Sequence, residues 1–230
     1  MTTNSLKIKL NEKKNFIFDM DGTLINLEKL NHQSYKMAVE NHYEVKLDND
    51  KYQRYFSGRR TAAGFEAFAK GEGIEDMSES REKELIKEYR SHKRDNLKNK
   101  TADVTKMIKG AQDYLEMLKE NGKRLVLATS TIEEFAMFLL DHYKLTPLFE
   151  FVLTAEDVEN GKPNPEIYNT TVSKLDTKKE DCVIFEDSKS GIQAGLNSDV
   201  LTVGVKTEGL NDEFVDMADF VIEGYTVFLN

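Results

Sequence analysis

Two aspartates stand one residue apart in Asp19-Met20-Asp21-Gly22-Thr23, directly after the apolar run Phe16-Ile17-Phe18. On a buried strand, successive side chains point to opposite faces. A turn leaving that strand can aim both carboxylates at one cleft, and Gly22 supplies the backbone freedom the turn needs. Carboxylates this close repel each other. A divalent cation offsets the repulsion, because its own charge dominates the local field. Taken alone, Asp-x-Asp-Gly fits equally a strand ending in a polar turn, or the start of a calcium loop.

Three further polar groups follow apolar runs, or the loop beyond one. Thr129-Ser130-Thr131 follows Leu125-Val126-Leu127-Ala128. Lys162, in Gly161-Lys162-Pro163, ends the loop after Phe151-Val152-Leu153. Glu186-Asp187-Ser188 follows Cys182-Val183-Ile184-Phe185. Each has an ordinary reading. Thr129 and Ser130 can lead into a helix capped by Thr131, Lys162 can be a surface lysine, and Glu186-Asp187 can favour a helix dipole.

Gathered at one sheet edge, the same groups suit phosphoryl transfer. Magnesium takes hard oxygen ligands, typically carboxylates with waters and a phosphate oxygen, and Asp19 and Asp187 can supply the carboxylates. A carboxylate such as Asp19 can also act as a covalent nucleophile. Lys162, the Thr129 hydroxyl and nearby backbone N–H groups can hold the transferring oxygens. Asp21, across the turn, can serve as general acid and then general base. A helix N-terminus after Thr129 would help to cradle a phosphate.

The elements that must position these groups read as an alternation of strands and helices. Residues 15–18 form a short, continuously apolar strand, as in a parallel sheet covered on both faces. A helix is predicted over 27–42. From about 45 to 98 there is no strand pattern; helices are predicted near 48–56, 61–71 and 78–97, and polar Asn96–Thr105 reads as a return linker. After 106 the predicted order is a helix over 110–121, a strand at 125–128 and a helix to about 142 opened by the capping box Thr131-Ile132-Glu133-Glu134. A strand at 151–153 comes next, then a helix to about 175 with Asn164 as N-cap and Pro165 at its first position. Strands at 182–185, 201–203 and 220–222 and helices at 188–196 and 211–217 complete the chain. Such alternation predicts a doubly wound parallel sheet, with ligands beyond the carboxyl ends of its strands.

Composition narrows the setting. The chain has 230 residues, 39% hydrophobic and 32% charged, in the range of a soluble globular protein. A net charge of −9 argues against nucleic acid as a partner. No apolar run approaches membrane-spanning length, and the lysine-bearing N-terminus lacks the apolar centre of a signal peptide. The single cysteine, Cys182, excludes an intrachain disulfide and points to a reducing cytoplasm. The expected state is a monomer or weak homodimer.

In four stretches, taken in order, the sequence resembles the haloacid dehalogenase superfamily: Phe18-Asp19-Met20-Asp21-Gly22-Thr23-Leu24-Ile25, Leu127-Ala128-Thr129-Ser130, Gly161-Lys162-Pro163-Asn164-Pro165-Glu166-Ile167-Tyr168, and Phe185-Glu186-Asp187-Ser188 with Gly191-Ile192-Gln193-Ala194. The insertion resembles the helical cap of the β-phosphoglucomutase-like and phosphoglycolate-phosphatase-like branch. The resemblance implies a Rossmann-like α/β core at 1–28 and 100–230 and an all-helical cap at 29–99. It implies Asp19 as nucleophile, Asp21 as acid/base, and Thr129, Ser130 and Lys162 as phosphate-binding residues. Asp19, Asp21, Asp187 and Glu186 would hold Mg2+, Glu186 directly or through water. In the cap, Gly58-Arg59-Arg60 resembles a loop that reaches the substrate, with Arg suited to phosphate or carboxylate.

Departures from the family pattern stand at Asn26, Leu27 and Glu28, at Asn31 where a His is usual (with His32 beside it), and at acidic Glu133-Glu134. A negative side chain would repel a second phosphate, which disfavours a mutase. The resemblance therefore implies a Mg2+-dependent phosphatase of a small phosphorylated metabolite, a phosphosugar or similar monoester, acting through an aspartyl-phosphate on Asp19. The alternatives are a β-phosphoglucomutase-type phosphomutase and a non-enzymatic phospho-accepting signalling module, the latter having no helical cap.

Overall fold

Phe18 lies level with Leu127 on one side and Phe185 on the other, in parallel register. That register sets the whole site, and it comes from a computed structural model that describes residues 3–57, 59–206 and 214–229. The chain divides into two compact units, Met1–Asn26 with Met107–Asn230, and Leu27–Lys106.

In chain order the first unit begins with α1 (Thr3–Glu12), β1 (Asn15–Phe18) and β2 (Ile25–Asn26). The second holds α2 (Glu28–Glu40), α3 (Asn49–Tyr55), α4 (Thr61–Glu72) and α5 (Glu79–Val104). Then follow β3 (Lys106–Met107), α6 (Ala111–Glu120), β4 (Arg124–Ala128), α7 (Glu133–His142), β5 (Phe151–Leu153), α8 (Glu166–Lys174), β6 (Cys182–Glu186), α9 (Lys189–Asn197), β7 (Leu201–Val205) and β8 (Phe220–Ile222). The main sheet runs β5-β4-β1-β6-β7-β8, all neighbours parallel. A second sheet pairs β2 with β3.

The central strands are apolar throughout because both faces are covered. Ile17, Val126 and Ile184 join Ile167, Tyr168 and Val172 of α8 and Ala194 of α9 in one layer. On the other face Phe18 stacks on Phe185 at 4.8 Å, and Tyr114 of α6 meets both rings edge-on. Helices on both sides make this the doubly wound α/β sheet that the sequence predicts. Chain order reverses at β1, between β4 and β6, and that is where such sheets bind ligands.

The helical unit has its own aromatic core. Tyr35 of α2 stacks on Phe56 at 4.3 Å and on Tyr89 of α5 at 4.2 Å, with Phe65 and Phe68 of α4 packed in the same cluster. Offset and edge-to-face pairs of this kind add about 0.5–1.5 kcal/mol each beyond their buried area.

Several local expectations fail for identifiable reasons. The predicted linker Asn96–Thr105 is helical to Val104, because Leu97, Thr101 and Val104 fall on one buried face; the break is confined to Lys100 (φ −142, ψ 25). Outside the predicted elements, the lysine-rich N-terminus folds as α1, with Leu6 and Leu10 buried one turn apart. Thr131 does not cap α7; the N-cap is Ile132, whose own side chain makes no capping bond. The capping box sits instead at Thr154 and Asp157, opening a single turn of tight helix. Pro165 occupies the N-cap of α8 rather than its first turn, while Asn164 Oδ1 still accepts from the Glu166 amide at 3.0 Å. Of the helix predicted at 211–217, residues 211–213 lie outside the described residues, and Val215–Met217 form a 3-10 turn. Among the described residues, no helix is long and apolar enough to cross a membrane.

Candidate active site

The end of β1 is prolonged by one backbone bond, from the Asp19 amide to the Phe185 carbonyl at 3.0 Å. Asp19 and Glu186 are thereby held side by side at the carboxyl edge of adjacent strands. The chain then turns back on the Met20 carbonyl, which accepts from the amides of both Leu24 and Ile25 at 2.9 Å. Gly22 has φ +83, and a Cβ there would stand 2.0 Å from Asp187 Oδ2. The glycine is needed for its conformation and for the room it leaves to Asp187. Thr23, next in the turn, donates from Oγ1 to Asp187 Oδ1 at 2.8 Å. This turn therefore fixes a carboxylate more than 160 residues away in the chain.

Lys162 closes the arrangement. Its ammonium donates to Asp19 Oδ1 at 2.7 Å, Glu186 Oε1 at 2.6 Å and the Ala128 carbonyl at 3.1 Å. Three acceptors match the three donors of a lysine. The side chain is 4% exposed, so these are charge-assisted bonds in a dry setting. Glu186 is satisfied on both oxygens. Oε1 also accepts from the Tyr168 hydroxyl at 2.8 Å, and Oε2 accepts from the amides of Asp187 and Ser188 and from the Ser188 hydroxyl. Asp19 Oδ2, by contrast, accepts no hydrogen bond from the described residues.

The carboxylates Asp19, Glu186 and Asp187 bring oxygen atoms within 4.8 Å of one another, the one such group among the described residues. Lys162 supplies one positive charge against their three negative ones. Burial pushes the Asp19 carboxyl up to about 7, against the pull of Lys162 and with the help of Glu186 and Asp21. Burial, then Glu186 and Asp19, raises Asp187 well above the ordinary aspartate value. Burial works against the Lys162 charge too, but Asp19 and Glu186 outweigh it and hold the ammonium protonated. The cluster is short of positive charge, and its donor set is all hard oxygen. It fits a small divalent cation such as Mg2+, with Asp19 and Asp187 as the carboxylates whose lone pairs are least committed. Glu186, with both oxygens engaged, anchors Lys162.

Asp21, half-buried, lies outside this close group of carboxylates. Thr129 directly follows β4 beside the site: its amide donates to the Leu153 carbonyl at 2.9 Å and its Oγ1 accepts from the Thr131 amide at 3.2 Å. Ser130 is exposed. The N-terminus of α7, expected to cradle phosphate, already serves an internal anion, since the Glu133 amide donates to Glu156 Oε2 at 2.7 Å. Arg59 and Arg60 belong to the helical unit and are exposed; the Arg59 guanidinium donates to the Arg54 carbonyl at 2.6 Å. Gly58, in the same loop, lies outside the described residues. Thr23 and Tyr168 stand in stretches that resemble the family, but the sequence assigns them no role; Thr23 fixes Asp187 and Tyr168 donates to Glu186, a bond that spans 18 residues.

A family model described as haloacid dehalogenase-like hydrolase matches residues 16–205. A phosphorylated carbohydrates phosphatase of Thermotoga maritima is 29% identical over 197 residues, covering 85% of this chain and 86% of that protein. A validoxylamine A 7'-phosphate phosphatase of Streptomyces hygroscopicus is 31% identical over 191 residues, covering 83% and 84%. A crystal structure from Haemophilus somnus, described as a predicted phosphoglycolate phosphatase, superposes with a TM-score of 0.82 at 18% identity, covering 95% of this chain and 97% of the other. That last likeness is one of fold.

Proposed function

The chain belongs to the haloacid dehalogenase-like hydrolases, and on that premise we propose that it is a Mg2+-dependent phosphatase of small phosphorylated carbohydrates. The observation that carries this reading is the Lys162 ammonium shared between Asp19 and Glu186 beside Asp187. It anchors one oxygen of Asp19 and leaves the other for attack. Relatives named as phosphatases of phosphorylated carbohydrates and of validoxylamine A 7'-phosphate support the substrate class.

Each residue then has a task. Asp19 Oδ2 attacks phosphorus while the bond to the leaving oxygen breaks, giving an aspartyl-phosphate. Asp21 gives its proton to the leaving oxygen. It then takes one from the water that attacks the aspartyl-phosphate, freeing inorganic phosphate and restoring Asp19. Thr129 and Ser130 meet the phosphoryl oxygens, where preorganised donors stabilise developing charge, and Lys162 binds the phosphoryl group through its positive charge, trading the Ala128 carbonyl for a phosphoryl oxygen. Asp19 and Asp187 would hold the cation, assisted by Asp21 and, through Lys162 and the backbone, by Glu186. When bound, the cation neutralises charge between the Asp19 anion and the phosphate anion. The helical insertion is assigned the choice of leaving group, with Arg59 and Arg60 as its candidate anion contacts. A single free, buried cysteine supports a cytoplasmic setting.

The test is a panel of phosphorylated metabolites and a generic aryl phosphate, assayed for phosphate release with MgCl2. Hydrolysis of the aryl phosphate and of at least one sugar phosphate is expected. Conversion of β-glucose 1-phosphate to glucose 6-phosphate without phosphate release would overturn the reading in favour of a mutase.

A further inference from the structure

Lys162 enters the site from the loop between β5 and α8, and that loop is gathered onto the first residue of α8. The Glu166 carboxylate accepts from the Glu159 amide at 2.7 Å on Oε1. On Oε2 it accepts from the Asn160 amide and from the Asn160 side-chain amide, each at 2.9 Å. Successive backbone amides turned toward one centre make a seat for an anion, and here the chain's own carboxylate fills it. On the other side of Lys162, the Asn164 amide donates to the Gly161 carbonyl at 3.0 Å, and Asn164 Oδ1 accepts from the Glu166 amide at 3.0 Å. Asn197 of α9 donates from Nδ2 to the Pro163 carbonyl at 3.2 Å.

A glutamate in a first turn ordinarily serves the helix dipole. Glu166 does more, because the three donors on its oxygens belong to the loop and not to the helix. Residues two apart on a helix point about 200° apart. Tyr168, buried against the sheet, donates to Glu186 Oε1 at 2.8 Å, while half-buried Glu166 faces the loop. The first turn of α8 thus serves both partners of one ion pair, Glu186 through Tyr168 and the Lys162 backbone through Glu166. The Lys162 ammonium lies 5.0 Å from the centre of the Tyr168 ring. A lysine stem is flexible, so where its ammonium rests depends on where its backbone is held. Displacing a reacting or binding group by about 1 Å can cost about a hundredfold in rate.

We propose that Glu166 is a positioning residue for Lys162: it clamps the backbone of Glu159 and Asn160 so that the ammonium reaches Asp19, Glu186 and the Ala128 carbonyl together. It acts through the loop and not on the reacting atoms. Its consequence for turnover rests on the phosphatase reading; its hold on the Lys162 loop does not.

The experiment compares the full chain as wild type, Glu166→Ala, Lys162→Met and the double variant. Amine labelling with acetic anhydride, without metal or substrate and well below the melting temperature, is read at Lys162 by peptide mass spectrometry. Lys162 is buried, so wild type should label slowly there. Glu166→Ala should label it about tenfold faster, the effect on local opening of losing bonds to a charged acceptor. Lys93, a buried lysine of the helical unit, should keep its wild-type rate. Unchanged labelling of Lys162 would overturn the proposal; a rise of equal size at Lys93 would assign Glu166 a general structural role and overturn it as well. Aryl phosphate hydrolysis supplies the second readout. Glu166→Ala should lower kcat/KM in the wild-type background, yet change it by less than about twofold in Lys162→Met, because the group it positions is gone. The same proportional loss in both backgrounds would overturn the proposal. Should Glu166→Ala fail to fold, Glu166→Gln, which keeps one acceptor oxygen, carries the same comparison and should speed Lys162 labelling in the same direction. The expected labelling without phosphate release from any substrate by wild type would sink the phosphatase reading and leave the positioning role standing.

Discussion

The Glu186 carboxylate occupies the space that a side chain at position 191 would fill: a Cβ on Gly191 would stand 1.8 Å from Glu186 Oε1. The end of β6 and the first turn of α9 therefore fit only when residue 191 is glycine. Gly191→Ala should fold, since alanine favours a helix interior by about 1 kcal/mol. It should nevertheless push Glu186 from its place and release Lys162. Phosphatase activity should fall while far-ultraviolet circular dichroism stays unchanged; a fully active Gly191→Ala enzyme would show that the Glu186 position is dispensable.

Asp19→Asn removes the attacking oxygen and little volume. Phosphate release should fall by several orders of magnitude, because a covalent step has no substitute in the site. Rapid-quench detection of phosphoprotein in wild type, and none in Asp19→Asn, checks the intermediate. Wild-type rates from Asp19→Asn would exclude the mechanism.

Lys162→Met keeps the length of the side chain and deletes its charge. Asp19 and Glu186 then face each other buried and unpaired, and breaking a buried pair from one side costs about 3–5 kcal/mol. Urea denaturation at neutral pH should register the loss, and added MgCl2 should recover part of it.

Tyr168→Phe removes one donor from Glu186 Oε1 without opening a cavity. A bond to a charged group contributes about 1.5–3 kcal/mol, so the free energy of unfolding should drop by that amount, read as a lower denaturation midpoint at constant slope. Lys162 remains on the same oxygen, so activity should survive in part.

Stability without cation should depend on pH in a direction opposite to that of a paired aspartate. The Asp19 carboxyl lies at about 7 in the fold against 3.8 ordinarily. Between those values the folded state binds more protons than the unfolded one, so stability falls as pH rises. Asp187, also raised, acts in the same sense. The melting temperature of chelator-treated protein should decline from pH 5 to pH 8. MgCl2, which favours the charged carboxylates, should raise it more at pH 8 than at pH 5. A flat metal-free profile across that range would contradict the raised values.

The sequence by itself determined the central sheet and the edge where its polar groups gather. Runs such as Leu125–Ala128 and Cys182–Phe185 have no polar face, so only strands covered on both sides can hold them. Residues directly after such strands fall at one edge, which brings Asp19, Thr129 and Glu186-Asp187 together from the pattern alone. Local signals were weaker guides where two registers compete. Thr131 and Thr154 both carry an acidic residue three places on, and only backbone geometry selects the second as a cap. Leu97, Thr101 and Val104 were hidden in a polar stretch, because a narrow buried stripe leaves most positions free to be charged.

Only the tertiary structure decided what each charged group faces. Lys162 meets Asp19 across 143 residues, Thr23 meets Asp187 across 164, and Tyr168 reaches Glu186 from a helix on the sheet's flank. Contacts of that span depend on strand order and register. The sequence pattern constrains those only through which faces must be buried.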